Sequence, residues 1–194
     1  MTNKWKPGRR IHLETERFRL DSMRRMEVAW HTYAWSADRE VTGPLGFPNK
    51  KWTWLSWYKR HRKYNDRQKL CLAIKTKNAT NVIGYEAIEL SAAGTAILTV
   101  AIGDRSWWGK GVVTETRKAI LDFLFCETNC RRVWGIPSVR NIPSIFNYQA
   151  LGFTSEGILR QHGLHPETGK PVDHIIFAML RDEWLLSSRK AAEQ

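Results

Sequence analysis

Two glycines just before a long predicted helix have the form of a phosphate-binding loop. Residues 106–113 read Ser-Trp-Trp-Gly-Lys-Gly-Val-Val, with two indoles directly before Gly109-Lys110-Gly111. The first turn of a helix has free backbone N–H groups and the positive end of the helix dipole, and glycine lets a phosphate approach the backbone closely. Lys110 adds a cation. The loop therefore predicts a pyrophosphate cradle, although a plain tight turn fits the same residues, and neither a dinucleotide fingerprint nor a P-loop is present.

Three polar side chains further along the chain share one face of a short predicted helix. Asn141 precedes Pro143 and is therefore placed to cap this helix, which ends near Gly152. Ser144 and Tyr148 are four residues apart, and Asn141 is seven residues before Tyr148, so the spacing brings all three to nearly the same face. We expect the three side chains to meet the same ligand.

The hydrophobic pattern predicts the elements that position these two motifs. Three strands with tight connections indicate an antiparallel meander, and a buried helix between two strands indicates a right-handed parallel crossover. The predicted strands cover 13–20, 69–75, 82–90, 95–102 and 131–136, followed by a closing hairpin of 158–161 and 172–180. The predicted helices cover 22–37, a segment capped by Asn49, 112–128, the segment after Asn141, and a frayed end after Asp182.

The order of these motifs resembles the GNAT superfamily of N-acetyltransferases. The resemblance rests on Ile-Gly-Asp-Arg-Ser-Trp-Trp-Gly-Lys-Gly at 102–111, on Asn-Ile-Pro-Ser-Ile-Phe-Asn-Tyr-Gln-Ala-Leu-Gly-Phe at 141–153, and on Leu-Glu-Thr-Glu-Arg at 13–17. The chain is similar in particular to the branch that holds ribosomal-protein N-terminal acetyltransferases and many small-molecule acetyltransferases. The resemblance implies an α/β (α+β) fold: a mixed central sheet of about seven strands, splayed between the fourth and fifth strands, with helices on both faces.

The resemblance also implies acetyl-CoA as the co-substrate, with its pyrophosphate at the glycine loop and its pantetheine paired like an extra strand with the fourth strand. The residues implied to bind it are Ala101, Ile102, Gly103, Trp108, Gly109, Lys110, Gly111, Val112, Val113, Asn141 and Ser144. In the superfamily a tyrosine at the place of Tyr148 protonates the departing CoA thiolate, and Ser144 is the competing acid. A backbone N–H near Ile102 would stabilise the oxyanion.

The general base is not evident from the sequence. Many relatives carry a glutamate near the position of Ile97, and a second acidic position falls near Gly163, so both of these carboxylates are absent here. The remaining candidates are Glu86, Glu89, His162, His165, Asp173 and His174. Two histidines in one loop make too weak a ligand set to predict a metal site, and none is expected.

Aromatic residues cluster in the two helices that the resemblance places beside the acceptor. Trp54 does not share the helical face of Trp52 and Trp57, so at least one indole is expected to face outwards. The predicted acceptor contacts are Trp30, Tyr33, Trp54 and Glu86, with packing in the core as the alternative role of the aromatic residues.

The predicted activity is acetyl transfer from acetyl-CoA to a primary amine of a small molecule, nucleotide-like or antibiotic, by direct attack in a ternary complex. The alternatives are an N-terminal acetyltransferase of a ribosomal or other protein, and a non-catalytic module that binds acetyl-CoA or RNA.

Composition sets the remaining expectations. The 194 residues fit a basic N-terminal arm over 1–12, one domain over 13–184 and a C-terminal tail over 185–194. A net charge of +12 favours an anionic partner, such as the CoA phosphates or ribosomal RNA. No apolar run approaches the ~20 residues of a membrane span. No secretory segment and no Cys-x-x-Cys stand in the sequence, so we expect a cytoplasmic monomer or homodimer without membrane contact.

Overall fold

The computed structural model describes residues 4–192. The eight strands are β1 (His12–Glu14), β2 (Phe18–Ser22), β3 (Lys69–Thr76), β4 (Val82–Leu90), β5 (Thr95–Ile102), β6 (Arg132–Gly135), β7 (Thr154–Leu164) and β8 (Pro171–Leu180). The six α-helices are α1 (Arg25–Thr32), α2 (Arg39–Thr42), α3 (Trp54–His61), α4 (Val112–Glu127), α5 (Ile142–Ala150) and α6 (Arg181–Ala192). Two short 3-10 helices cover Tyr33–Ala37 and Arg105–Trp107. Within this part of the chain no helix is long and apolar enough to cross a membrane.

All strands within residues 4–192 belong to one open sheet in the order β1-β2-β3-β4-β5-β6-β8-β7. The neighbours are antiparallel except β5 and β6, which the long helix α4 connects as the predicted parallel crossover. These two strands pair over three residues each, from Thr95 with Arg132 to Ile97 with Trp134. β5 then continues to Ile102 beside β4 alone. The predicted splay is therefore present, and it lies between β5 and β6.

The alternation of side chains along β3 explains why helices cover both faces of the sheet. Leu70 and Leu72 point to a core formed with α4 and α5, whereas Cys71 and Ala73 belong to a core formed with Val28 of α1. Successive side chains of a strand point to opposite faces, so a strand buried on both sides reads as a nearly continuous apolar run. We call these surfaces the α4 face and the α1 face of the sheet.

The sheet has eight strands because the predicted first strand is a hairpin. The backbone N–H of Thr15 donates to the carbonyl of Phe18 at 2.9 Å, and the Thr15 hydroxyl accepts from the N–H of Phe18 at the same distance. This turn reverses the chain between β1 and β2, which pair in register from His12 with Asp21 to Glu14 with Arg19. A threonine hydroxyl that bonds nearby backbone groups favours such turns.

The first two helices differ from their predicted bounds. The helix predicted over 22–37 is α-helical only for Arg25–Thr32 and continues as a 3-10 helix. Asn49 does not cap the next helix: Thr53 does so, because its side chain and that of Ser56 each bond the backbone N–H of the other.

The ends of the described chain pack onto the domain. The expected basic arm is not loose, since the Trp5 ring meets Phe123 of α4 edge-on at 5.8 Å and Ile11 is buried. The backbone N–H of Trp5 donates to the carbonyl of Glu127 at 3.0 Å. The predicted frayed end is the helix α6, where the Trp184 indole N–H donates to Asp122 at 2.8 Å. Residues 1–3 of the arm and 193–194 of the tail lie outside the described residues.

A buried histidine lies at the centre of the aromatic core under α3. The His61 ring packs 4.5 Å from the ring of Trp57, and its Nδ1 lies 2.9 Å from the Trp57 carbonyl oxygen. Burial lowers the pKa of His61 to about 4, so the imidazole is neutral in the folded protein at physiological pH.

This pKa predicts a loss of stability in mild acid. Between pH 6.5 and 4 the unfolded chain binds a proton at His61 that the folded chain does not, so the free energy of unfolding falls as the pH falls, by at most about 1.4 kcal/mol per pH unit. In His61→Asn that contribution is absent, and the difference from the wild type in urea unfolding shrinks from pH 7 to pH 5.

His12→Asn is the matched control. Its hydrogen bond with Asp21 raises the pKa of His12, so this histidine stabilises the fold in acid and the stabilisation is lost as the pH rises. A pH dependence of His61→Asn that is identical to the wild type would contradict a neutral His61.

Candidate active site

The glycine loop has the geometry that its sequence predicts. Gly109 and Gly111 both have φ of +71°, in the left-handed region that glycine adopts without strain. Gly111 is the N-cap of α4 and offers no side chain to the first turn, so the N–H groups of Val112 and Val113 point toward the loop. No atom lies within 4 Å of where a Cβ of Gly109 would stand. The loop therefore presents free donors and open space, as a phosphate requires.

The two indoles before the glycines fix the loop in different ways. Trp107 packs edge-on against Phe18 of β2, with ring centres 5.4 Å apart. Trp108 is more exposed, and its indole N–H donates to the carbonyl oxygen of Ile102 at 2.8 Å. The side chains therefore tie the loop to the sheet at its two ends, β2 and the end of β5.

An arginine from the opposite end of the sequence supports the same loop. Arg17 donates from Nη2 to the Lys110 carbonyl at 3.0 Å and from Nε to Glu115 of α4 at 2.6 Å. Glu115 also accepts from the backbone N–H of Arg17 at 2.9 Å and from the Thr15 hydroxyl at 2.6 Å. Sequence reasoning assigned no role to Arg17, although it is part of the Leu-Glu-Thr-Glu-Arg motif.

The open edge of β5 presents backbone groups to the splay. The N–H of Gly103 donates to the Ile83 carbonyl of β4 at 2.9 Å. Because successive residues of a strand direct their N–H and C=O groups to opposite edges, those of Ile102 point into the splay. The Trp108 indole N–H donates to the Ile102 carbonyl. The Ile102 N–H is directed to the splay, which is the direction that a donor to an oxyanion would need.

Trp35 lies against the end of this edge. A Cβ on Gly103 would collide with the Trp35 ring, so the indole packs directly on the backbone at Gly103. Trp35 contacts the α1-face core that contains Ala101. The sequence showed Trp35 only as one of several aromatic residues, and nothing local pointed to its position at Gly103.

Tyr148 lies where β6 leaves β5. It is 3% exposed, and its ring stacks on Phe177 of β8 with centres 5.2 Å apart and planes 5° from parallel. A Cβ on Gly135, the last residue of β6, would collide with the Tyr148 hydroxyl. The hydroxyl is therefore held against bare backbone at the mouth of the splay.

The other two polar residues of α5 have the predicted placement. Asn141 is the N-cap, and its side-chain oxygen accepts from the N–H of Ser144 at 3.2 Å. Ser144 is half-buried one turn before Tyr148. The structure thus brings Asn141, Ser144 and Tyr148 together at one end of the splay.

Glu86 is not with the predicted acceptor residues. It points to the α4 face, is fully buried, and pairs with the buried Arg117 of α4, whose Nε lies 3.1 Å from its Oε1. The Arg117 guanidinium lies 4.9 Å from the ring centre of Tyr148. Burial raises the pKa of Glu86 to about 7 despite the nearby cation. Glu86 Oε2 and Arg117 Nη1 are buried without a hydrogen-bond partner.

The three predicted aromatic contacts do form one group. Trp54 meets Tyr33 edge-on at 5.4 Å and Trp30 edge-on at 6.0 Å. Trp30 is 75% exposed and Trp54 36%, whereas Trp52 and Trp57 are buried. The prediction that an indole of this region faces outwards is therefore confirmed. We call Trp30, Tyr33 and Trp54 the aromatic platform.

Arg105 connects the glycine loop to the start of α2. It donates from Nη2 and Nε to the two carboxylate oxygens of Asp38, at 2.6 Å and 2.9 Å, and its Nη1 lies 2.7 Å from Glu40. This pairing lowers the pKa of Asp38. The contact joins residues 67 positions apart, so the sequence pattern could not reveal it.

The remaining candidates for the general base have different surroundings. Glu89 pairs with Lys63 at 2.6 Å and with Lys69 at 3.3 Å. His165 lies in a turn, where its Nδ1 accepts from the N–H groups of Glu167 and Thr168. The carboxylate of Asp173 accepts from the N–H of Gln161 at 2.7 Å, and the rings of His162 and His174 are 5.4 Å apart. No cluster of three or more potential metal ligands was found among residues 4–192.

A double-mutant cycle would measure the buried ion pair. Glu86→Leu and Arg117→Met should each lower the free energy of unfolding by about 3–5 kcal/mol. The first variant leaves the buried Arg117 cation unpaired, and the second removes the cation that stabilises the ionised Glu86, whose carboxyl must then take up a proton or stay buried without a partner. The double variant should be about as stable as the wild type, since no buried charge remains. Urea unfolding at pH 7.5 measures all four proteins.

The pair Arg132–Glu156, 2.6 Å apart and partly exposed, is the matched control. Its coupling should be about 1 kcal/mol or less. Additive losses at Glu86 and Arg117 would show that the two charges are not paired in solution.

Comparisons with known proteins identify this arrangement. A family model described as "Acetyltransferase (GNAT) domain" matches residues 17–154. A curated N-acetyltransferase of Bacillus licheniformis, p20, is 28% identical over 110 residues, which are 57% of this chain. The match spans 60% of the length of that relative.

Solved structures share the fold at low sequence identity. A GNAT-family acetyltransferase from Bacillus anthracis has a TM-score of 0.75 at 16% identity and covers 89% of this chain and 100% of its own. The ribosomal-protein-S5-alanine acetyltransferase of Vibrio fischeri has a TM-score of 0.72 at 20% identity, covering 90% and 98%. Spermidine N-acetyltransferase from Vibrio cholerae, in complex with CoA and spermine, has a TM-score of 0.75 at 17% identity, covering 87% and 98%.

The family match covers more than half of the chain and falls on the splayed sheet, the glycine loop and α5 together. The chain belongs to the GNAT acetyltransferase family.

Proposed function

We propose that this protein transfers the acetyl group of acetyl-CoA to a primary amine of a small molecule. The observation that carries the proposal is the open edge of β5, which lies between the glycine N-cap of α4 and the Tyr148 hydroxyl. These three features are the parts that an acyl transfer from CoA needs: a strand edge, a phosphate site and a proton donor.

The residues present fit acetyl-CoA, the co-substrate of GNAT acetyltransferases. The N–H groups at Val112 and Val113 and the amine of Lys110 would hold its pyrophosphate, and the backbone at Ala101–Gly103 would pair with the pantetheine amides. The Asn141 amide and the Ser144 hydroxyl, at the start of α5, line the other side of the splay. Unpaired strand edges bind extended ligands by the same main-chain hydrogen bonds that join strands.

The geometry supports direct attack in a ternary complex. The amine nitrogen attacks the thioester carbonyl, and the N–H of Ile102 stabilises the oxyanion that forms. When the C–S bond breaks, the Tyr148 hydroxyl gives its proton to the CoA thiolate. Ser144, one turn earlier on α5, is the competing acid.

The aromatic platform supports a small, flat acceptor. Trp30 and Trp54 expose indole surface beside Tyr33, and such rings stack planar groups or bind a cation. The second candidate acceptor is a protein N-terminus on the ribosome. It is favoured by the net charge of +12, which attracts RNA-rich particles.

Release of the CoA thiol tests the proposal. The protein is given acetyl-CoA and a cell extract separated into small metabolites and macromolecules, at low and physiological salt. We expect release with the metabolite fraction. Release only with macromolecules, weakened by salt, would support the protein acceptor instead. The protein could bind acetyl-CoA by calorimetry yet release no CoA thiol with either fraction or with a panel of amines and antibiotics. That result would contradict the proposal that the protein is an enzyme.

Tyr148→Phe tests the assignment of the acid. Removing only the hydroxyl leaves the buried ring in place, so stability should be nearly unchanged, while kcat falls by about 10²–10⁴-fold. Steady-state kinetics and urea unfolding measure the two effects. Tyr58→Phe, on α3, is the control with the same chemical change. Full activity of Tyr148→Phe together with a loss in Ser144→Ala would assign the acid to Ser144.

A further inference from the structure

We propose that His174 of β8 is the general base that deprotonates the acceptor amine. The inference rests on the proposed acetyl transfer and supplies the group that this reaction lacks. An alkylammonium has a pKa of about 10, so at neutral pH it must lose a proton before its nitrogen can attack. The carboxylate that would do this from β5 is absent, since Ile97 stands there.

Other titratable groups on the α1 face are already engaged. Glu89 is held by two lysines, and Asp38 and Glu40 are both held by Arg105. Tyr85 is fully buried, and burial raises the pKa of its hydroxyl far above the usual range. Each of the three carboxylates would have to give up its ion pair to act as a base. The buried Tyr85 hydroxyl stays protonated at pH 7 and therefore cannot act as one.

The register of the sheet places His174 across the splay from the acetyl position. Ile97 and Trp134 are the last paired residues of β5 and β6. Counting four residues onward on each chain brings Ala101 and Ser138 to the same level along the sheet, on opposite sides of the splay. Ser138 forms an antiparallel bridge with His174, which therefore lies at the level of Ala101. This is the level at which the thioester would meet the Ile102 N–H.

Strand alternation places His174 on the face from which the acceptor approaches. Ile175 and Phe177 of β8 point to the α4-face core, so His174, the residue directly before Ile175, points to the opposite face. Ala101 points to the same α1 face, where Trp35 packs at Gly103. His174 is half-buried there, so part of its side chain is exposed.

The surroundings of His174 set which nitrogen accepts the proton. Its Nδ1 lies 3.3 Å from the carbonyl oxygen of Val172, which can only accept, so Nδ1 carries the hydrogen and Nε2 is left with a lone pair. A Cβ on Gly163 would collide with the imidazole, so this glycine makes room for the ring. The titratable side chains on the elements beside it are His162 and Arg160 of β7 and Arg140 before α5.

The protons balance in the complete reaction. His174 Nε2 takes one proton from the ammonium, and the free amine forms the C–N bond. As the C–S bond breaks, Tyr148 protonates the sulfur, and the proton left on the product nitrogen returns to the Tyr148 oxygen. His174 then releases its proton to water, so the sum is one amide, one CoA thiol and one proton.

His174→Asn is the direct test, because asparagine can still donate to the Val172 carbonyl but has no basic nitrogen. Using an alkylamine that the wild type accepts, we expect kcat to fall by about 10²–10⁴-fold, with loss of the acid limb of the pH profile of kcat. A hydrazide analogue of the same acceptor is already unprotonated at pH 7 and needs no general base. His174→Asn should therefore acetylate the hydrazide nearly as fast as the wild type does. His12→Asn, at the far edge of the sheet, is the matched control and should retain wild-type kinetics.

Gly163→Ala tests the position of the ring without changing its chemistry. The added methyl displaces the imidazole, and kcat with the alkylamine should fall by up to about 100-fold. If the wild type is active and His174→Asn keeps the acid limb of its pH profile, the assignment of His174 as the base is wrong, while the proposed acetyl transfer stands. The same conclusion follows if His162→Asn loses activity and His174→Asn does not. A wild type that acetylates no amine would overturn the proposed function, and the base with it.

Discussion

The separation of β5 from β6 after three paired residues is the constraint on which the rest of the site depends. β6 stops at Gly135, and the chain turns away through Pro137 toward α5. Beyond Ile97 the edge of β5 has no strand beside it, which is costly for a buried backbone unless a ligand or a side chain takes its place. The Trp108 indole donates to the Ile102 carbonyl, and the Ile102 N–H is the group that we propose meets the substrate.

Aromatic and charged side chains pack where this gap begins. The Tyr148 ring lies between Phe177 and the guanidinium of Arg117, and its hydroxyl fills the space where any side chain at position 135 would stand. Arg117 is in turn held by Glu86 from β4. A buried ion pair adds little net stability, so its value here is in fixing the ring that sits between β6 and α5.

Sequence reasoning succeeded where the signal is local and failed where it depends on distant contacts. The glycine loop, the Asn141–Tyr148 spacing and the parallel crossover are all contained in short segments, and the structure has them as predicted. Glu86 was misplaced because β4 is apolar on both faces, so its pattern does not tell which face a given residue meets. The contact between Arg105 and Asp38 joins elements whose distance no periodicity can encode.

The proposed acid and the proposed base lie on opposite faces of the sheet. Tyr148 reaches the splay from the α4 face, and His174 lies on the α1 face at the level of Ala101. In the mechanism that we propose, an amine that enters from the α1 face gives its proton to His174 before it meets the thioester, and the thiolate that leaves toward the α4 face receives a proton from Tyr148. We propose that both substrates meet in the gap between β5 and β6, and this arrangement is compatible with a ternary complex. Gly135 makes room for the Tyr148 hydroxyl and Gly163 for the His174 ring, so the absence of a side chain at these two positions helps to place the proposed acid and the proposed base.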